Sequence, residues 1–164
     1  MRNKYQINKN GFTLVELLVV IGIITMITAL LFPNFMGARQ RARDSQRKTD
    51  LKQIQGAVEL YKLDQNPPAY PSGSYFATTM CRKCWSSAGS SDTCPNGSNV
   101  YMNKFSCDPG TNANSPYLYN RDLNDTLKYT LTACLENLVD PDRDPTPVAA
   151  CVTPGYASYT VNEP

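Results

Sequence analysis

Residues 11–33, GFTLVELLVVIGIITMITALLFP, decide how this chain folds. From Phe12 to Phe32 the run carries one charge, Glu16. As a helix at about 1.5 Å per residue it is roughly 31 Å long, close to the ~30 Å hydrocarbon core of a bilayer. Arg2, Lys4 and Lys9 precede it with no acid among them, a pattern that keeps the N-terminus in the cytoplasm and sends the rest of the chain across. An ordinary secretory signal peptide fits poorly, because the run is too long and no small-x-small cleavage site follows it.

Glu16 is the informative residue. A carboxylate inside a membrane helix is costly and normally has a partner, yet the span contains no Lys or Arg. A cut after Gly11 would give Phe12 a new ammonium group, able to pair with Glu16 of a neighbouring copy. The alternative is a glutamate that snorkels from near the helix end.

Pro33 closes the run. It has no N–H for the carbonyl of Ala29, and its ring crowds that turn, so a kink is expected there. Beyond it the helical pattern resumes: Leu51, Ile54, Val58 and Tyr61 make one stripe, expected to pack on a sheet. Arg39, Arg41, Arg43, Arg47 and Lys48 precede the stripe. They read as a solvated or lipid-facing basic face, with acidic surfaces of other subunits as the alternative. Asn66-Pro67-Pro68 ends the helix near Leu63.

The stretch KNGFTLVELLVV, residues 9–20, closely resembles the prepilin signature of type IV pilins and type II secretion pseudopilins. The resemblance continues in DLKQIQGAVELYKLDQNPPAYP, residues 50–71, and in KYTLTACLEN, residues 128–137; residues 76–120 carry no such likeness. It implies that a prepilin peptidase cuts between Gly11 and Phe12 and N-methylates Phe12. It also implies that Phe12 and Glu16 meet between subunits during assembly, and that Pro33 marks a break where helix is lost when subunits pack in a filament. The expected fold is α+β: a leader (1–11), a transmembrane or filament-core helix (12–32), an amphipathic stem (33–64) and a globular head (65–164). The head is expected to be a small antiparallel sheet with a loop-rich cysteine insertion at 72–120. Residues 126–135 read as a half-buried strand by alternation, 156–161 as a second, and 148–152, VAACV, as a third.

Six cysteines, Cys81, Cys84, Cys94, Cys107, Cys134 and Cys151, all follow the apolar run. An even number on one side of a span points to disulfides in an oxidising compartment. Cys81-x2-Cys84 lacks the second Cys-x2-Cys of a zinc ribbon. The family likeness implies a Cys134–Cys151 bridge, which leaves three ways to pair the other four. Asp140, Asp142 and Asp144 alternate in LVDPDRDPTP, and hard oxygens at that spacing can begin a Ca²⁺ site. The major pseudopilins carry a calcium loop in this part of the head. Here no glycine turn and no later bidentate Glu follows, so an acidic proline-rich loop is the plainer reading and no cofactor is expected.

The chain has no histidine, which removes Ser–His–Asp and Cys–His catalysis and the commonest metal ligand. Residues 33–62 hold seven Lys/Arg against three acids, and residues 63–164 six against ten. A basic stem and an acidic head suit ordered association better than nucleic-acid binding, which wants a basic face on the folded domain. The reading is a structural, non-enzymatic subunit of an extracellular type IV pilus-like filament. Its partners are further copies of itself, the prepilin peptidase, the assembly machinery and the cytoplasmic membrane before assembly. The rivals are a periplasmic secretion pseudopilin and, from another class, a single-pass membrane protein with a disulfide-rich adhesive head.

Overall fold

The computed structural model describes residues 11–73, 80–110, 117–152 and 155–164, the side chains at 32–34 excepted. The leader residues Arg2, Lys4 and Lys9 thus lie outside the described residues. The chain divides into two compact units, Met1–Arg39 and Gln40–Pro164, and each is described by itself.

One helix, α1 (Leu14–Leu63), carries the apolar run and the stem pattern. The helix assignment runs unbroken through position 33; the helix loss expected at Pro33 belongs to a packed filament and stays an expectation for that state. Within the first unit, Leu14–Leu31 is long and apolar enough to cross a membrane, and none of it is buried by the chain itself. At its far end the helix stops at Leu63. Asp64 N and Gln65 N donate to the carbonyls of Tyr61 and Lys62 at 3.1 and 3.2 Å, satisfying late carbonyls as the chain leaves the helix. The prolines that follow cannot extend it, and Asn66–Pro67 is a cis peptide.

The second unit has two three-stranded antiparallel sheets. One is formed by β1 (Cys84–Ser86), β2 (Gly89–Ser91) and β3 (Val100–Met102) in the order β2-β1-β3. The other joins β4 (Leu118–Arg121), β5 (Tyr129–Leu135) and β6 (Ala157–Asn162) in the order β4-β5-β6. β5 is central, pairing Leu131 with both Tyr119 and Val161. The expected strands at 126–135 and 156–161 are β5 and β6. β5 is more than half-buried: Thr132 and Ala133 are covered along with Tyr129, Leu131 and Leu135.

The expected stripe is the core. Leu51, Ile54 and Val58 have no solvent exposure and Tyr61 packs at the edge. They share one cluster with Tyr129, Leu131 and Val161 from one sheet and Trp85, Tyr101 and Phe105 from the other region. Tyr61 stacks on Trp85 at 5.6 Å between ring centroids, and Tyr101 meets Trp85 edge-on at 5.2 Å. The Cys-rich segment is loop-rich, as expected, and carries a small sheet that closes the core over the end of α1 with aromatic rings.

The expected third strand is a correction. Residues 149–152 form a single helical turn, α2 (Ala149–Val152), closed by Cys151 N donating to Val148 O at 2.9 Å. A five-residue apolar run has too few positions to separate the two periodicities. Gly155, at φ +80°, then turns the chain toward β6.

Candidate assembly helix and stem clamp

At the start of α1 the side chains form a reciprocal cap. Thr13 precedes the first helical residue, and its hydroxyl accepts from Glu16 N at 3.2 Å. Glu16 Oε2 in return accepts the Thr13 backbone N–H at 2.8 Å and the Thr13 hydroxyl at 2.6 Å. This is the Thr-x-x-Glu capping box, which satisfies amide donors that the first turn leaves without intrahelical partners. The motif stands in the sequence as Thr13-Leu14-Val15-Glu16, so the signal for Thr13 was there to be found. Glu16 thus has a partner inside its own chain. Phe12, one residue before the cap, is 90% exposed. Among the described residues, none lies within 4 Å of a Cβ placed on Gly11.

The stem carries a second constellation, wholly inside the second unit. Arg47 is 4% exposed. Its Nε and Nη2 bind Asp108 Oδ2 and Oδ1 at 2.8 Å each, a bidentate pair. Its Nη1 binds Asp44 at 2.7 Å, and Glu136 lies 3.0 Å from its Nη2. Arg43 adds a second bidentate grip on Glu136. Asp44, 1% exposed, also accepts the backbone N–H groups of Glu136 and Asn137 at 3.0 and 2.8 Å, fastening the loop after β5 to the helix. Gly110 completes the enclosure: a Cβ there would lie 2.8 Å from Asp108 Oδ1 and 2.9 Å from Arg47 Nη2. Hydrogen bonds from Arg43 and Arg47 hold the Glu136 carboxyl below its ordinary range, against the effect of burial. One turn along, burial pushes the Asp50 carboxyl up although it accepts from Tyr117 Oη at 2.6 Å.

This corrects the reading of the basic run as a solvated face. Arg43, Arg47 and Lys48 are ion-paired within their own head; of the five, only Arg39 and Arg41 are fully exposed. Asp44 stands at i,i+3 from Arg47, a spacing the sequence shows; the other partners sit 61 to 94 residues away, beyond what spacing along a helix can reveal, and no sequence signal marks Asp108 or Glu136.

The three alternating aspartates, Asp140, Asp142 and Asp144, do not converge. Asp140 and Asp142 both hold Lys48 Nζ, at 2.5 and 2.7 Å. Asp144 faces β6 instead, accepting from the Ser158 and Thr160 hydroxyls at 2.5 and 2.8 Å. Among the described residues no group of three acids, histidines or cysteines is placed to hold a metal. The cysteines form three bridges, Cys81–Cys107, Cys84–Cys94 and Cys134–Cys151. The last ties β5 to α2, the second ties β1 to the segment after β2, and the first joins the segments that flank the small sheet.

An exposed apolar helix that runs on into an amphipathic stem, together with a disulfide-linked antiparallel head, defines a pilin-like subunit. Residues 7–32 match the prokaryotic N-terminal methylation motif. Over 111 residues the chain is 32% identical to the type II secretion system core protein G of Pseudomonas aeruginosa, covering 68% of this chain and 72% of that protein. It is 44% identical over 59 residues to the type IV wide pilus major component PilA4 of Thermus thermophilus, and 39% identical over 64 residues to the core protein G of Pectobacterium carotovorum subsp. carotovorum. These two matches cover 36% and 39% of this chain, and only 45% and 40% of the relatives. No solved structure gives a significant match. The chain belongs to the family of type IV pilins and type II secretion pseudopilins.

Proposed function

We propose that this chain is a structural subunit of a type IV pilus-like filament, without catalytic activity of its own. A prepilin peptidase cuts the precursor after Gly11 and methylates Phe12. The subunit waits in the cytoplasmic membrane with its head outside, and an assembly machine then polymerises it through the N-terminal helix. The observation that carries this reading is the full exposure of Leu14–Leu31 behind a methylation motif. So much apolar surface needs lipid or other helices to cover it, and a filament core supplies the second after a membrane supplies the first. In that core Glu16 exchanges its cap partner, or shares it, with the Phe12 ammonium of a neighbour.

The secretion pseudopilin is the second reading. The 111-residue likeness to a type II secretion protein favours it, whereas the cysteine-rich head favours the pilus. Imaging decides between them: the pilus reading predicts long surface filaments composed of this chain, and the pseudopilus reading predicts none.

The test of the shared mechanism is Gly11→Val. It should leave an uncut precursor in the membrane and no filaments. Filaments of normal yield from that variant would overturn the proposal.

A further inference from the structure

We infer that the cleft between Cys81–Lys83 and Lys104–Asp108 binds a compact oxyanion, the phosphate or sulfate monoester group. This stands apart from the filament reading. Six cations lie beyond Leu63. Three have partners: Arg121 donates to Tyr70 O at 2.9 Å, Arg143 to Leu138 O, and Lys128 lies 3.5 Å from Asp125. Of the other three, Arg82 and Lys104 line one cleft and Lys83 follows Arg82 in the chain; among the described residues none of them is in an ion pair. The segments outside the description contain no Asp or Glu to neutralise them.

Their grouping is built rather than loose. Arg82 N donates to Phe105 O at 3.0 Å and Phe105 N to Lys83 O at 2.8 Å, clamping the two segments together. The Cys81–Cys107 bridge flanks the same clamp. Arg82 sits at φ +64°, the left-handed region that a residue with a Cβ seldom occupies. Arg82 and Lys104 line a cleft of about 230 Å³, with Gln46 and Ser106 adding neutral polar groups. The one acid there, Asp108, already has both oxygens bound by Arg47.

Two like charges lining one cleft repel one another, and an anion relieves that. A guanidinium, an ammonium and a hydroxyl around a small cleft suit a tetrahedral oxyanion. The acid-rich head does not suit a long polyanion, whose affinity comes from many contacts along a basic track.

The experiment is an amide-shift titration of the full-length chain in neutral detergent at low salt, with inorganic phosphate and with glucose 6-phosphate. Saturable shifts confined to residues 82–83 and 104–108 are expected. Arg82→Asn, which tolerates the positive φ, combined with Lys104→Gln should weaken binding by about tenfold or more. Lys128→Gln, just before β5, should leave it unchanged. Tighter binding of the sugar ester identifies a pendant group as the source, and equal binding a free anion. The wild-type titration does not depend on any variant folding. An absence of saturable shifts in the cleft, or an undiminished affinity in a correctly folded double variant, overturns the proposal.

Discussion

Glu16 and Thr13 are bound to each other three ways at the head of α1: carboxylate to amide, carboxylate to hydroxyl, and amide to hydroxyl. The carboxylate therefore has two separable roles, as half of a helix cap and as a fixed negative charge. Substitution can pull them apart. Gln at this position keeps the capping box and loses the charge; Leu loses both; Thr13→Ala loses the cap and keeps the charge, at about 1 kcal/mol of helix stability. If the charge is what assembly needs, Glu16→Gln and Glu16→Leu should both abolish sheared filaments while membrane retention and leader cleavage persist, and Thr13→Ala should still assemble. Normal filament yield from Glu16→Gln would show that the cap alone matters.

Removing Arg47 should be the most damaging single change to the head. Arg47→Met leaves Asp44, Asp108 and Glu136 facing one another around a buried gap, and breaking a buried ion pair typically costs about 3–5 kcal/mol. Chemical denaturation of the detergent-solubilised chain measures it, and a loss below about 1 kcal/mol would place the pairs in the weak class of surface ion pairs.

The same clamp sets an acid limb of stability. Glu136 and Asp140 both titrate below their ordinary values of 4.5 and 3.8. Hydrogen bonds from Arg43 lower Glu136; at Asp140 burial pushes the other way, and Lys48 and the Asp142 amide overcome it. A carboxyl depressed in the folded state binds fewer protons there than in the unfolded chain. Its contribution is complete above the unfolded value and is lost as pH falls through the folded one. Stability should hold from neutral pH to about 5 and then decline on acidification. Glu136→Gln should lower the neutral plateau and flatten that decline. An acid limb unchanged in the variant would remove Glu136 from the account.

Lys48 stands where the alternating aspartates would have offered oxygens to a cation, its ammonium between Asp140 and Asp142. The head should therefore melt at the same temperature in excess Ca²⁺ and in EDTA. Lys48→Ala should cost about 1 kcal/mol, since Asp142 is well exposed. A calcium-dependent rise in the melting temperature of the wild type would contradict this arrangement.

The Cys134–Cys151 bridge closes a loop of sixteen intervening residues. Replacing both cysteines with Ala should cost about 3 kcal/mol by the chain-entropy estimate. Non-reducing peptide maps of the wild type should show this pair and both partners of Cys81–Cys107 and Cys84–Cys94.

What the sequence made legible was local or periodic. Leu51, Ile54 and Val58 repeat at helical spacing and fill the core; Leu63 ends α1 because prolines follow; Tyr129 and Leu131 alternate in β5. What it hid depended on distant pairing. Strands of three residues such as β1 and β3 are too short to show alternation, and they are held where Trp85 and Tyr101 meet Tyr61 and Phe105 meets Trp85. Arg47 looked like a solvated cation because Asp108 and Glu136 are far along the sequence. Thr13 was missed for another reason: the carboxylate three residues on drew attention to an intermolecular partner, while the capping box lay in plain view.

The processed chain, not the precursor, should polymerise through its N-terminal helix. The most direct test is the intact mass of the subunit in filaments sheared from cells. The subunit should begin at Phe12, carry one added methyl group there and lack the six hydrogens of three disulfides. Filaments built from subunits that still begin at Met1 would contradict it.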